Sequence, residues 1–314
     1  MRRLSMISLL AAVGLTACGG SSQDATTSPP DDVPASASPT TAQSSPAPSP
    51  SASEPAQPDP AARRTLRDAQ RAVAEANTGI VRTVAELGPV RTETVAHYDL
   101  RSRSMRSEGT ITAPDERLVM DAVVIGEDAW FRITRPDGDD ARQSCWMNAD
   151  PDVLEAATGL EAPQGSGRGI PAGLMVALTA TGQTQLDPDR AIGRIDLYTL
   201  ATAFSGKLAL LLGLDFDTKG TAPVVIQLDA GVVTGWRSSL VDLLGAVEDA
   251  GLQLPPEAQE YEDASLADAS VDAQVSDLGT PVSITPPPAD QVVDLVADEE
   301  QAQQAMQACE ARQG

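Results

Sequence analysis

Between Arg91 and Thr134 the chain is a succession of short segments with strand character, each closed by turn residues. Arg91–Leu100, Met105–Thr112, Arg117–Ile125 and Ala129–Thr134 are separated by Arg101–Ser104, Ala113–Asp115 and Gly126–Asp128. Connections this short join antiparallel neighbours, because a parallel crossover needs a dozen residues or more. The block therefore predicts an antiparallel meander. Within it Leu118, Met120, Ala122 and Val124 alternate with Val119, Asp121, Val123 and Ile125. One set faces a core or a cavity, and both sets are apolar enough to leave the side open. Cys145–Met147 is expected to end a fifth strand after a turn at Pro136–Asp140.

The flanking stretches supply helices and more strands. Leu66, Ala69, Val73 and Ala76 recur at helical spacing over 61–77, with Thr78-Gly79 as a stop. Residues 150–215 read as helix and loop: Pro151–Ala157, Ile170–Thr179, and Leu197–Leu214, the last divided by Gly206-Lys207. Strand character returns at Pro223–Asp229, Val232–Ser238, Ser265–Ser276 and Thr280–Thr285, with turns at Asp229–Gly231 and Asp277–Gly279. Pro286–Pro288 ends the last of these, and the tail from Asp290 is expected to be helical. The order suits an α+β fold in which one curved antiparallel sheet wraps around helices.

The N-terminus sets the compartment. Met1-Arg2-Arg3, an apolar run from Leu4 to Leu15, and small residues before Cys18 describe a secretory signal peptide, residues 1–17. The apolar run is shorter than the ~20 residues a membrane-spanning helix needs. Leu15-Thr16-Ala17-Cys18 resembles the bacterial lipobox, in which the Cys thiol is acylated and becomes the new N-terminus. An ordinary signal peptide cut near Ala17 would leave Cys18 incidental. Residues 18–60 are mostly Ser, Pro, Ala, Thr and Asp with Val33 as the sole large apolar side chain, so they are expected to be a disordered leash. The expected location is the extracytoplasmic face of the cell membrane, held by lipid.

Charge and cysteines narrow the class. The formal net charge is −23, and loss of Arg2 and Arg3 with the signal makes it −25. That argues against nucleic acid as a partner and against adhesion to anionic lipid by a basic face. Lys occurs only at 207 and 219, and the Arg and Ala bias points to a GC-rich, actinobacterial genome. With Cys18 assigned to lipid, Cys145 and Cys309 are an even pair in an oxidising compartment and are expected to form a disulfide; two unpaired buried thiols are the alternative. His97 is the sole histidine, which excludes multi-His metal sites and disfavours acid–base catalysis. There is no Gly-x-Ser-x-Gly, Cys-x-x-Cys or His-Glu-x-x-His motif. Asp137–Asp140 lacks calcium-loop spacing and reads as a turn, and Glu260, Glu262, Asp263 and Asp268 as a solvated face. No catalytic residue, metal or cofactor is expected.

The stretch Asp277–Asp290, DLGTPVSITPPPAD, resembles the end of the actinobacterial LppX/LprG-type lipoproteins, and Pro223–Trp236, PVVIQLDAGVVTGW, is similar to the hairpin before it. The lipobox, the Ser/Pro leash and the opening helix have the same order. The resemblance covers about residues 61–295 and implies a LolA-like domain: a half-open antiparallel β-barrel whose concave face is covered by helices. Residues 296–314 are then a C-terminal helical tail. It further implies an apolar cavity that takes an acyl lipid or glycolipid ligand and carries it within the cell envelope. Cys18 alone carries over as a family residue. The long leash and extended tail depart from the pattern.

Ile170–Thr179 and Leu197–Leu214 hold more apolar side chains than one face of a sheet requires. Candidates for a cavity lining are therefore Leu118, Met120 and Val124 from the meander, Leu174 and Leu178 from the first helix, and Leu200, Phe204, Leu208 and Leu211 from the second. The same residues would also fill a dry core. The competing reading is an envelope sensor or scaffold that binds another envelope protein with the same fold.

Overall fold

A computed structural model describes residues 59–134, 136, 145–149, 170–215, 217–253, 268–295, 304, 307–309 and 311. All of them belong to the unit Gln57–Gly314. The signal peptide, Cys18, the leash, Pro151–Ala157, the turn at Asp137–Asp140 and the acidic residues 260–263 lie outside the described residues.

Helix α1, Pro60–Ala76, opens on Asp59, whose carboxylate accepts from the Ala61 N–H at 2.8 Å, with Pro60 at its first position. Both features suit a helix start, where amides lack intrahelical partners. Its buried stripe is Ala62, Leu66, Ala69 and Val73. The chain then forms β1 (Thr78–Leu87), β2 (Val90–Asp99), β3 (Ser104–Ala113), β4 (Glu116–Ile125), β5 (Asp128–Thr134) and β6 (Trp146–Ala149). After α2 (Ala172–Thr179) come β7 (Thr181–Asp187), β8 (Arg190–Asp196), α3 (Leu197–Phe204) and α4 (Gly206–Leu211). The remainder is β9 (Thr221–Asp229), β10 (Val232–Ser239), α5 (Leu240–Asp249), β11 (Ser270–Ser276) and β12 (Val292–Leu295).

Among the described residues the strands make one open sheet in the order β12-β6-β5-β4-β3-β2-β1-β11-β10-β9-β8-β7. Every pairing is antiparallel except β12 with β6. The fold is thus α+β with a large, mostly antiparallel, unclosed sheet. Strand order follows chain order from β1 to β6, and from β1 to β5 the connections of two to four residues leave each strand no other neighbour. No helix among the described residues is long and apolar enough to cross a membrane.

The helices pack on one side of β1 and β7–β11. Val81 and Ala85 on β1, Val271 and Ala273 on β11, and Trp236 on β10 meet Leu66 and Val73 of α1, Leu174 of α2 and Leu200 of α3 in one buried cluster. The Trp236 indole N–H donates to the Gly173 carbonyl at 2.6 Å, fixing α2 to the sheet. Asp196 and Ser239 cap α3 and α5 by accepting from the Thr199 and Asp242 amides.

Several expectations are corrected. Thr78–Leu87 is a strand, at the centre of the sheet, so the strand beside Cys145 is the sixth rather than the fifth, and it begins at Trp146 instead of ending at Met147. Residues 181–196 are a β-hairpin, not helix and loop: Ala191, Gly193 and Ile195 face the core, and the alternation is hidden by the apolar helices on either side. Leu197–Leu214 is two helices parted at Ser205, whose extended backbone stops the first. Residues 240–249 are an additional helix. Thr280–Thr285, expected to be a strand, joins no ladder, and Pro281 removes one of its amide donors. Val292–Leu295, expected to be helical, is a strand added to β6.

Candidate functional site

The pleat sorts each strand into two faces. On β2, Ala96 and Tyr98 are buried beneath the helices, so Arg91, Glu93, Val95 and His97 belong to the opposite face. The register carries the helix side outward from the core. Tyr98 pairs with Met105 of β3, and Met105 with Val124 of β4. Ile111 faces Leu118, and Met120 faces Ile133 of β5. Ala122 faces Phe131, and Phe131 faces Met147 of β6.

The packed core ends at Tyr98 and Met105. Tyr98 is fully buried, and burial pushes its phenol up to about 12. Beyond it Ile111, Leu118, Val124, Phe131, Ile133 and Met147 are half-buried, and Met120 is 42% exposed. This is an apolar band on the helix side of β3–β6. Along β4 it runs from Leu118 to Val124, roughly 20 Å at the rise of a strand.

The nine lining candidates therefore form two groups. Leu174 and Leu200 are fully buried, and Phe204 and Leu208 nearly so, within the close-packed cluster of helices and β1, β8–β11. Leu178 is half-buried against that cluster, and Leu211 is half-buried on α4. Leu118, Met120 and Val124 stand on the same side of the sheet but on β4, three strand spacings or about 14 Å from β1. The helical group fills a core; the β4 group belongs to the exposed band. Sequence reasoning missed Ile111, Phe131, Ile133 and Met147, although the alternation of Ala129, Phe131 and Ile133 carries the signal.

The band ends at the edge of the sheet. There Cys145 and Cys309 are joined, with Cα atoms 6.3 Å apart, and Val293 of β12 completes a small buried cluster with them. Cys18 lies outside the described residues. His97 is exposed on the face away from the helices. Among the described residues no group of three His, Cys, Asp or Glu is placed to hold a metal ion. Comparison of the chain with protein-family models and with curated proteins finds no match.

Proposed function

We propose that this chain is a non-enzymatic, lipid-anchored envelope protein that binds an acyl lipid or the acyl part of a lipoglycan along the apolar band of β3–β6. In this reading the domain is a LolA-like half-barrel whose helices fill one half of the covered face and leave the other for ligand. Cys18 holds the protein to the membrane, and the leash lets the band reach lipid. The observation that carries the reading is the band itself: apolar side chains from four adjacent strands, aligned in register and only partly covered. An acyl chain laid on it gains about 0.8 kcal/mol for each methylene removed from water.

Protein produced from Gly19 onward, exported behind a signal that adds no lipid, is expected to release acyl lipid into organic solvent, read by mass spectrometry. Met120→Asp and Phe131→Asp are expected to cut that lipid at least about tenfold while circular dichroism stays unchanged, because both positions retain access to water. Leu200→Asp is the contrasting variant and should unfold the domain, since it strands a charge in the packed core. Lipid-free wild-type protein, or full loading of both band variants, would overturn the reading.

A further inference from the structure

The face of the sheet away from the helices carries a different chemistry. Between β11 and β12 the chain must travel from the middle of the sheet to its edge, and it does so across β2–β4. Residues Pro281–Ile284 form the roof of a groove of about 900 Å³ whose floor is those three strands. Val282 and Ile284 are half-buried, whereas Pro281 and Ser283 are exposed. The roof is tied at both ends. Behind it the Gly279 N–H donates to the Thr78 carbonyl at 2.9 Å, and ahead of it β12 pairs with β6 beside the disulfide. Four prolines, at 281 and 286–288, stiffen the span.

The floor is ordered by register. Arg91, Thr112 and Arg117 lie in one row across β2, β3 and β4; Val95, Glu108 and Asp121 lie in another, and His97 stands opposite Arg106. Some of these charges are already matched. Arg82 donates to Glu93 at 2.7 Å and holds its carboxyl below the usual carboxylate range. Arg91 pairs with Glu86, and Arg132 pairs with Asp121 at 2.5 Å while lying over the Trp146 ring at 4.8 Å. Arg106, Glu108 and Arg117 make no ion pair among the described residues.

The formal charges of the lining cancel, three arginines against two glutamates and one aspartate. The three without an ion pair among the described residues, Arg106, Arg117 and Glu108, differ by a single charge. Such a mixed lining gives a strongly charged ligand little net attraction. It rewards a neutral molecule dense in both donors and acceptors, and Val95, Val282 and Ile284 add apolar patches for C–H faces. We infer that the groove between Pro281–Ile284 and the β2–β4 floor is a binding site for a neutral carbohydrate chain, with Arg106, Glu108 and Thr110 as its central hydrogen-bonding groups. The groove has the volume of a site for several sugar units. It lies on the other side of the sheet from the apolar band and stands independently of the lipid reading.

The test uses full-length protein, purified as its cell delivers it, in a polyoxyethylene detergent, which carries no sugar. Mannotetraose, cellotetraose, maltotetraose and N-acetylchitotetraose are the neutral probes and tetragalacturonate the anionic one, read by saturation-transfer NMR and calorimetry. At least one neutral probe should bind more tightly than tetragalacturonate. Thr110→Trp, which fills the floor, should weaken that probe at least about tenfold, as should Arg106→Ala combined with Glu108→Ala. Thr112→Trp replaces the first plug if Thr110→Trp lowers the thermal midpoint. No binding by any neutral probe, preference for tetragalacturonate, or binding unchanged by the plug and by the paired alanines would each overturn the assignment.

Discussion

Tyr98 closes the core on its meander side with its ring fully buried and its hydroxyl oxygen without a hydrogen-bond partner among the described residues. Gly79 makes the room, since a Cβ there would lie 2.7 Å from that oxygen. An unmatched buried hydroxyl costs about 1–3 kcal/mol, so Tyr98→Phe should leave stability unchanged or raise it by about 1 kcal/mol in urea denaturation. A clear loss would mean that the hydroxyl is bonded. The same burial gives a pH signature. In the folded chain the phenol titrates at about 12 rather than 10, so between those values the unfolded chain has released a proton that the folded chain keeps. Stability is therefore complete below about pH 10 and falls as pH rises towards 12, by up to roughly 3 kcal/mol. Tyr98→Phe should flatten that slope, checked as the shift in urea midpoint between pH 9 and 11.5. At this scale the sequence is a partial guide. It gives Cys145, Cys309 and His97 by count alone, but a tyrosine buried without a partner depends on neighbours that no local pattern names.

At the level of elements, strands bounded by turn residues were legible, those under the helices at β9–β11 included, whereas β1, β7 and β8 were not. β2 to β5 and the Asp229–Gly231 hairpin show in the sequence because turns punctuate them. In that hairpin Ala230 and Gly231 take φ of 48° and 79°, the left-handed geometry of a two-residue turn. β7 escapes because Thr181–Asp187 has Leu186 as its one large apolar side chain, and that residue is 46% exposed. An edge strand flanked by α1 and β8 needs no hydrophobic alternation of its own. α2 poses the opposite problem: Leu174, Met175, Val176 and Leu178 signal burial without saying against what. The answer rests on Gly173, where a Cβ would strike the Thr83 hydroxyl and press on Val81 at 3.3 Å. Gly173→Ala gains helix propensity of about 1 kcal/mol, yet overpacking costs about 1–3 kcal/mol at a β-branched neighbour that cannot turn aside. Net destabilisation of about 1 kcal/mol is expected by thermal unfolding. Adding Thr83→Ala should recover most of it, and a Gly173→Ala protein as stable as wild type would show that α2 is not seated so closely.

Across the whole molecule stability is unevenly distributed. Core side chains gather over β1 and β7–β11, while β3–β6 and β12 rely on ladder bonds, the Asp121–Arg132–Trp146 contact and the small cluster of Cys145, Val293 and Cys309. β12 is four residues long and has one neighbour, so its pairing alone is weak. The disulfide spans 164 positions and links the β6 edge to the tail beyond β12. A loop that long gives a ceiling of about 5 kcal/mol in the chain-entropy account. Cys145→Ser combined with Cys309→Ser should therefore act unequally. Amide exchange at Val293 and Asp294 should quicken by orders of magnitude, and the β6 amides should follow. The amides of β9 and β10, held by the core, should exchange only on global unfolding. The same double variant should release the far end of the span at 281–288, which β12 anchors, and so raise its exchange as well. Equal acceleration in β9 and β12 would mean that the sheet opens as one unit and that the bridge stabilises the domain without steadying an edge.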